Sequence, residues 1–223
     1  MVEERRLALD IGNVLFHVNV NKFVDRFNEV TGETHGMAFL EGIQAGQDIG
    51  LYNMRQAVAR FYPGISEEKL DLLSLAWNDT AVSSGNILWY VSGLIDAGWE
   101  VALLSNIGFD HKIVISNLLP SNFDRTIKHF SCDVGARKPS QLFYLSFCIK
   151  HPDWINSLFL DDREENISSA NDFLYAKRFN LDDYESDWDA LEGFKKIIHD
   201  DNNHKQHGNI KKQFQSLISF LKK

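Results

Sequence analysis

The 223 residues carry 31 acidic against 23 basic side chains, a formal charge of −8. That balance argues against a general binder of nucleic acid or of anionic membranes, and no apolar run approaches the roughly 20 residues of a spanning helix. The hydrophobic share of 44% and charged share of 24% suit a globular protein with one substantial core and room for a small accessory unit.

The first element is an apolar run, Leu7-Ala8-Leu9, that ends in a lone carboxylate, Asp10, with Gly12-Asn13 close behind. A short apolar run closing on turn chemistry reads as a buried strand. In a parallel sheet such a strand delivers its last residue to the carboxyl edge, where ligands of open α/β folds bind. Helical periodicity follows. Phe23, Phe27 and Val30 share a face stopped by Gly32, and Met54, Val58 and Phe61 form a second helix ended by Pro63-Gly64. Ser66 with Glu67 and Glu68 starts a third, whose inner face is Leu70, Leu73 and Trp77. Residues 17–85 therefore read as an all-helical insertion, with Ser83-Ser84-Gly85 as the hinge back to the main body.

From residue 86 the order alternates. Leu88, Val91 and Ile95 line a helix stopped at Gly98, and Trp99–Leu104 is a strand ending in Ser105-Asn106. A helix precedes Pro120, and 125–130 is a third strand. The loop 131–139 opens a helix through Phe143 and Phe147, and Ser157–Leu160 is a strand closing on Asp161-Asp162. A helix after Arg163, a strand near 175–179 and a helix over 188–198 complete the pattern. A polar loop over 200–209, with His204 and His207 near His199, precedes a last helical stripe of Ile210, Phe214, Leu217 and Leu221. Strand–helix alternation implies an α/β fold with a Rossmann-like, doubly wound parallel sheet. Trp77 and Trp89 read as core anchors. Cys132 and Cys148 lack metal-ligand spacing and read as reduced thiols. The start of the chain, Met1 to Arg6, holds no signal-peptide apolar region, so a cytoplasmic protein is expected.

Taken singly, each strand end has an ordinary explanation. Asp161-Asp162 reads as a helix cap, Ser105-Asn106 as turn residues, and Lys138 as a solvated loop lysine. Together, and in this order, they converge on one edge. Asp10, Asp161 and Asp162 would repel one another strongly unless a cation sits among them, and Mg²⁺ is the hard, oxygen-liking ion that suits them. Ser105 and Asn106 offer neutral donors to phosphoryl oxygens, and Lys138 a cation for charge developing on a transferring group. An aspartate such as Asp10 is a competent nucleophile for phosphoryl transfer.

With these residues the chain resembles the haloacid dehalogenase-like (HAD) superfamily over roughly residues 5–180. The Asp10 strand matches its first motif, Leu104-Ser105-Asn106 the second, Arg137-Lys138-Pro139 the third, and Leu160-Asp161-Asp162 with Asn166 the fourth. The resemblance implies an α/β core from 1–16 and 86–223, with 17–85 as an inserted helical cap of type one. It implies Asp10 as nucleophile and Lys138 as the bridge between nucleophile and phosphate, with Ser105 and Asn106 on the phosphoryl oxygens. Asp162, Asp10 and the Gly12 carbonyl would ligate Mg²⁺, with Asp161 a second ligand or an orienting group and Asn166 in support. The substrate implied is a small phosphorylated metabolite, as in the sugar-phosphate phosphatases of the α-glucose-1-phosphate type, handled by a monomer or homodimer.

One departure matters. Most such phosphatases carry a second Asp two residues after the nucleophile, as general acid and then base; here that position is Gly12. General acid–base catalysis is worth roughly 10²–10⁴-fold, so a replacement is expected from His17 or from the cap, or else a leaving group good enough to need none. Phe16, His17 and Gln47 are candidate substrate contacts. Two alternatives stand beside the phosphatase: a metal-independent haloacid dehalogenase, which leaves the Asp161-Asp162 pair unexplained, and a degenerate member that binds a phosphorylated ligand without turnover.

Overall fold

The computed structural model describes residues 5–201; the stripe from Ile210 to Leu221, with His204 and His207, lies outside them. In chain order the elements are β1 (Arg6–Leu9), β2 (Phe16–Val18), α1 (Asn21–Thr31), α2 (Met37–Asp48), α3 (Met54–Phe61), α4 (Glu67–Asn78) and β3 (Ala81–Ser83). There follow α5 (Gly85–Asp96), β4 (Glu100–Ser105), α6 (Phe109–Leu118), β5 (Ile127–Phe130), α7 (Ser131–Val134) and α8 (Gln141–Lys150). The chain closes with β6 (Leu158–Asp161), α9 (Glu164–Ala170), β7 (Tyr175–Arg178) and α10 (Asp187–Asp201).

Five strands form one parallel sheet in the order β5-β4-β1-β6-β7. β1 sits at its centre, with Leu9 level with Leu103 of β4 and Leu160 of β6. Successive side chains on a strand alternate between faces, and both faces are buried here. Leu7, Leu9, Leu103 and Leu160 pack with Val91 and Ile95 of α5 and Phe194 of α10. Ala8, Ala102, Leu104 and Phe159 pack on the other side with Phe143 and Phe147 of α8 and Ile167 of α9. The small Ala8 and Ala102 admit the rings of α8 close to the sheet. This is the doubly wound α/β fold expected, with the strand order reversing beside β1.

Helices α1 to α4 build a separate apolar cluster around Phe23, Phe27, Leu40, Ile43, Val58, Leu73 and Trp77. Three of the four follow the expected stripes, except that Phe61, at the end of α3, is 46% exposed and Ala57 takes its place on the buried face. Ser66 caps α4 by accepting from Lys69 N, and Asn53 forms a full capping box with Gln56 at the start of α3. The helices are entered and left through an antiparallel ribbon of β2 and β3, with His17 opposite Val82. Trp89 is not a core anchor. It is 68% exposed, because α5 turns Ile87, Leu88, Val91 and Ile95 inward and leaves position 89 on the opposite face. Cys132 and Cys148 are buried free thiols. Among the described residues no helix is long and apolar enough to cross a membrane.

Candidate active site

The site is built on the carboxyl ends of the three central strands. Asp10 follows β1 and keeps the strand register by donating its backbone N–H to Leu160 O at 2.8 Å. That bond sets Asp10 beside Asp161, the last residue of β6. Lys138 arrives from the loop before α8 and is 1% exposed. Its Nζ lies 2.9 Å from Asp10 Oδ1 and 2.6 Å from Asp161 Oδ2, and donates to Leu104 O at 2.9 Å. A lysine buried this deeply is costly unless paired; here it is enclosed by acceptors from all three strands.

The loop carrying Lys138 is held by Asn106. The Asn106 side chain accepts from Lys138 N at 2.8 Å and donates to Lys138 O at 2.9 Å. Asp161 has both oxygens engaged: beyond Lys138, its Oδ1 accepts from Asn166 Nδ2 at 2.8 Å and from Arg163 N at 3.0 Å. Asp162 is more open, and takes a 3.2 Å hydrogen bond from Asn13 Nδ2 on Oδ2. Asn13 in turn accepts from Val18 N at 3.0 Å, tying the turn after Asp10 to β2. Its φ of 52° is a left-handed conformation that Asn tolerates well. This residue was read as turn chemistry in the sequence; the adjacent Gly-Asn pair was the available sign that the turn would face the site.

Ligand oxygens of Asp10, Asp161 and Asp162 all lie within 4.8 Å of one another. Against three carboxylates stands one ammonium, Lys138, so the formal charge of the cluster falls two short of neutral. The electrostatics reflect it. Burial raises Asp10 above the ordinary carboxylate range, with Asp161 adding to the effect and Lys138 and Ser105 opposing it. Burial likewise pushes Asp162 up to about 7, helped by Asp10 and Asp161. Burial alone would depress the Lys138 ammonium, but Asp10 and Asp161 together hold its pKa above the usual lysine value. Such a cluster accepts a divalent cation readily.

Above it lies a cavity of about 180 Å³. The core supplies Asp10, Gly12, Ser105, Asn106, Lys138, Asp162 and Asn166, and the helical insertion supplies Gln44, Asp48 and Trp77. Every expected site residue except the fully buried Asp161 therefore lines one cavity or, for Asp161, sits directly beneath it. The expected substrate contacts do not. Phe16 is fully buried in the core, His17 lies between Asp182 and Asp187 at 3.3 and 3.4 Å, and Gln47 turns to Asp110 at 3.2 Å. In their place stand Gln44 and Asp48, one turn apart on α2. Neither residue belongs to the apolar stripes expected within 17–85, although Leu40, Ile43 and Gln47 keep helical spacing in α2.

The fold is one that solved α/β proteins of HAD type share. No protein-family model matches the chain, nor does any functionally curated protein; the likeness is to solved structures. A HAD family enzyme from Bacteroides thetaiotaomicron, in complex with magnesium, superimposes with a TM-score of 0.69 at 18% identity, over 84% of this chain and 98% of that one. A HAD-like family hydrolase from Porphyromonas gingivalis gives 0.65 at 19% identity, over 87% and 97% of the two chains. The L-2-haloacid dehalogenase of Xanthobacter autotrophicus gives 0.54 at 18% identity, over 79% and 77%.

Proposed function

We propose that this chain is a Mg²⁺-dependent phosphomonoesterase of the HAD type, working through an aspartyl-phosphate on Asp10 and acting on a small phosphorylated metabolite such as a sugar phosphate. The observation that carries the reading is the cluster itself: a buried Lys138 shared between Asp10 and Asp161, with Asp162 completing three carboxylates around too little positive charge. A dehalogenase that needs no metal gives that third carboxylate nothing to do. The Bacteroides thetaiotaomicron enzyme has also been solved in complex with magnesium and inorganic phosphate, which supports the same chemistry here.

Asp10, Asp162 and the Gly12 carbonyl would hold the cation; both oxygens of Asp161 are already committed to protein donors, which suits an orienting role. Bound there, Mg²⁺ supplies charge neutralisation between the nucleophile and a phosphoryl oxygen. Asp10 attacks phosphorus and takes the phosphoryl group, and Lys138 balances the charge that builds on its oxygens. Ser105 and the site face of Asn106 orient that group, with Asn106 also fixing the lysine loop. Residues 17–85 act as a cap over the cavity and exclude water from the reacting centre.

The test is steady-state phosphate release from a panel of sugar phosphates, nucleotides and an aryl phosphate, with Mg²⁺ or EDTA, for wild type and Asp10→Asn. Release that requires Mg²⁺ and vanishes in a folded Asp10→Asn is the expected result. Halide release from 2-haloacids in EDTA, or no phosphate release from any compound, would refute the reading.

A further inference from the structure

We propose that Asp48, carried into the cavity by α2, is the general acid and base whose usual position is empty of a side chain at Gly12. The inference rests on the phosphatase reading above and supplies the one catalytic part that reading lacks.

Six titratable groups line the cavity: Asp10, Asp48, His111, Lys138, Asp162 and Arg163. Asp10, Lys138 and Asp162 already have roles, and Arg163 is a guanidinium that keeps its protons. His111 lines the cavity but is spent on structure. Its ring stacks flat on Trp77, with centroids 4.3 Å apart at 11°, and its Nε2 is engaged with Trp77 O at 2.8 Å and Thr80 Oγ1 at 3.1 Å. Burial also holds its pKa below the ordinary histidine value. Asp48 remains.

Its surroundings suit the task. Asp48 Oδ2 accepts from Arg137 Nη1 at 3.1 Å, and among the described residues Oδ1 has no hydrogen-bond partner. The side chain is 15% exposed, in a cavity that it shares with Asp10 and Gly12. The charged groups facing it are Arg137, Arg163 and Lys138, with the Cys132 thiol on α7 close enough to feel its charge. Burial outweighs the three cations and pushes its carboxyl up to about 6, where both protonation states are populated near neutral pH.

The backbone holds the group in place. Two residues on, Gly50 has φ +76°, and a Cβ there would lie 2.4 Å from Cys132 O. At Gly46 the Tyr52 ring occupies the space of a side chain, 2.2 Å from where a Cβ would sit. The first approach seats the end of α2 on the core, and the second packs α2 against Tyr52 within the helical cluster. Gly12, by contrast, is not forced to be glycine by crowding. A Cβ there would meet Val18 Cγ2 at an ordinary 3.6 Å, so a side chain can be placed there as a test.

The step balances as follows. Asp10 forms a bond to phosphorus as the bond from phosphorus to the leaving oxygen breaks, and the Asp48 carboxyl gives that oxygen its proton. The Asp48 carboxylate then takes a proton from water as the water oxygen bonds to phosphorus. The bond from phosphorus to Asp10 breaks, phosphate departs, and Asp48 is protonated again.

The experiment compares Asp48→Asn with wild type on an alkyl phosphate and on a nitrophenyl phosphate, whose leaving group needs little protonation. For the variant, kcat/KM on the alkyl ester should fall by roughly 10²–10⁴-fold, and on the aryl ester by under about tenfold. The aryl ester should also show a burst of one equivalent of phenol, since water attack on the phosphorylated enzyme loses its base; retained aryl kcat/KM doubles as proof of folding. Adding Gly12→Asp to the variant should restore at least tenfold of the alkyl kcat/KM. Equal losses on both esters would make Asp48 a positioning residue and overturn the proposal, as would no loss. If the variant does not fold, Gly12→Asp alone decides: a gain under about tenfold supports an acid already present, and a gain of roughly 10² or more overturns it. Wild type inert toward both esters in Mg²⁺ would instead sink the phosphatase reading beneath it.

Discussion

Lys138→Met tests whether the site is held together by charge. The ammonium is 1% exposed and touches Asp10 Oδ1 at 2.9 Å, Asp161 Oδ2 at 2.6 Å and Leu104 O at 2.9 Å. Methionine fills much the same volume, so packing against Phe159 is largely kept and the loss is electrostatic. Removing one partner of a buried pair costs about 3–5 kcal/mol, and orphaning the Leu104 carbonyl places the expected loss toward the upper half of that range. For a protein of this length, about 4 kcal/mol lowers Tm by about 8–16 °C. The effect has a pH signature. Burial already raises Asp10 above the carboxylate range, and loss of Lys138 raises it further. A raised folded-state pKa means that the folded protein binds the extra proton, so stability is regained as pH falls and lost as pH rises. The gap between wild type and variant should therefore narrow from pH 8 to pH 5. Urea unfolding in EDTA, followed by tryptophan fluorescence at three pH values across that window, measures it. A gap under about 1 kcal/mol, or one that does not change with pH, would refute the account of Lys138 as the counter-charge of two buried carboxylates.

Two further outcomes concern the scaffold. His129 is 3% exposed, its Nε2 lies 3.0 Å from both Phe143 O and Ser146 Oγ, and burial lowers its pKa to about 4. The unfolded state thus binds the extra proton between about pH 6.5 and 4, and stability falls as pH falls through that window; at pH 5 the loss is about 2 kcal/mol. His129→Gln should lack this slope in the same urea titration, and an unchanged slope would exclude His129 as its source. At the seam of cap and core, Gly50→Ala combines φ +76° with a 2.4 Å approach to Cys132 O, whereas Gly64→Ala has φ +92° with open space around it. Both should lower the unfolding free energy, Gly50→Ala by more than about 1 kcal/mol beyond Gly64→Ala; equal losses would show that the close approach relaxes freely.

The core was legible in the sequence because a parallel sheet buried on both faces demands continuous apolar runs, and Leu7–Leu9, Val101–Leu104 and Leu158–Leu160 are such runs. Their ends were legible too: a carboxylate directly after a core strand has few structural excuses. What stayed hidden follows from contacts far apart in sequence. Asn106 lies 32 residues from Lys138, and nothing in its spacing shows that its amide spans that lysine's backbone. Helix α2 is masked by Gly42 and Gly46, which weaken helix propensity although the Leu40 and Ile43 face is sound. Asp48 is masked with it, whereas His17, conspicuous in the sequence, has its ring among acids outside the cavity.

The polar character of the seam bears on how one chain can both bury Asp10 and keep a cavity open beside it. The helices α1 to α4 complete their own apolar cluster, and the sheet completes two others, with no shared members. What joins them is hydrogen-bonded and charged: Asp110 accepts from Gln47 Nε2 and Met54 N, Arg137 meets Asp48, and His111 meets Trp77 O. Three buried polar atoms without partners, Gln47 Oε1, Trp77 Nε1 and Asn78 Oδ1, lie on the helices of this same seam. An apolar seam would have closed over Asp10, because burial of matching apolar faces is roughly proportional to area and has no direction. A seam of directional contacts leaves a gap wherever the donors and acceptors do not meet. The gap falls where the strand ends bring their carboxylates together, with Trp77 on its helical side, so Asp10 lines an open cavity although its side chain is largely buried.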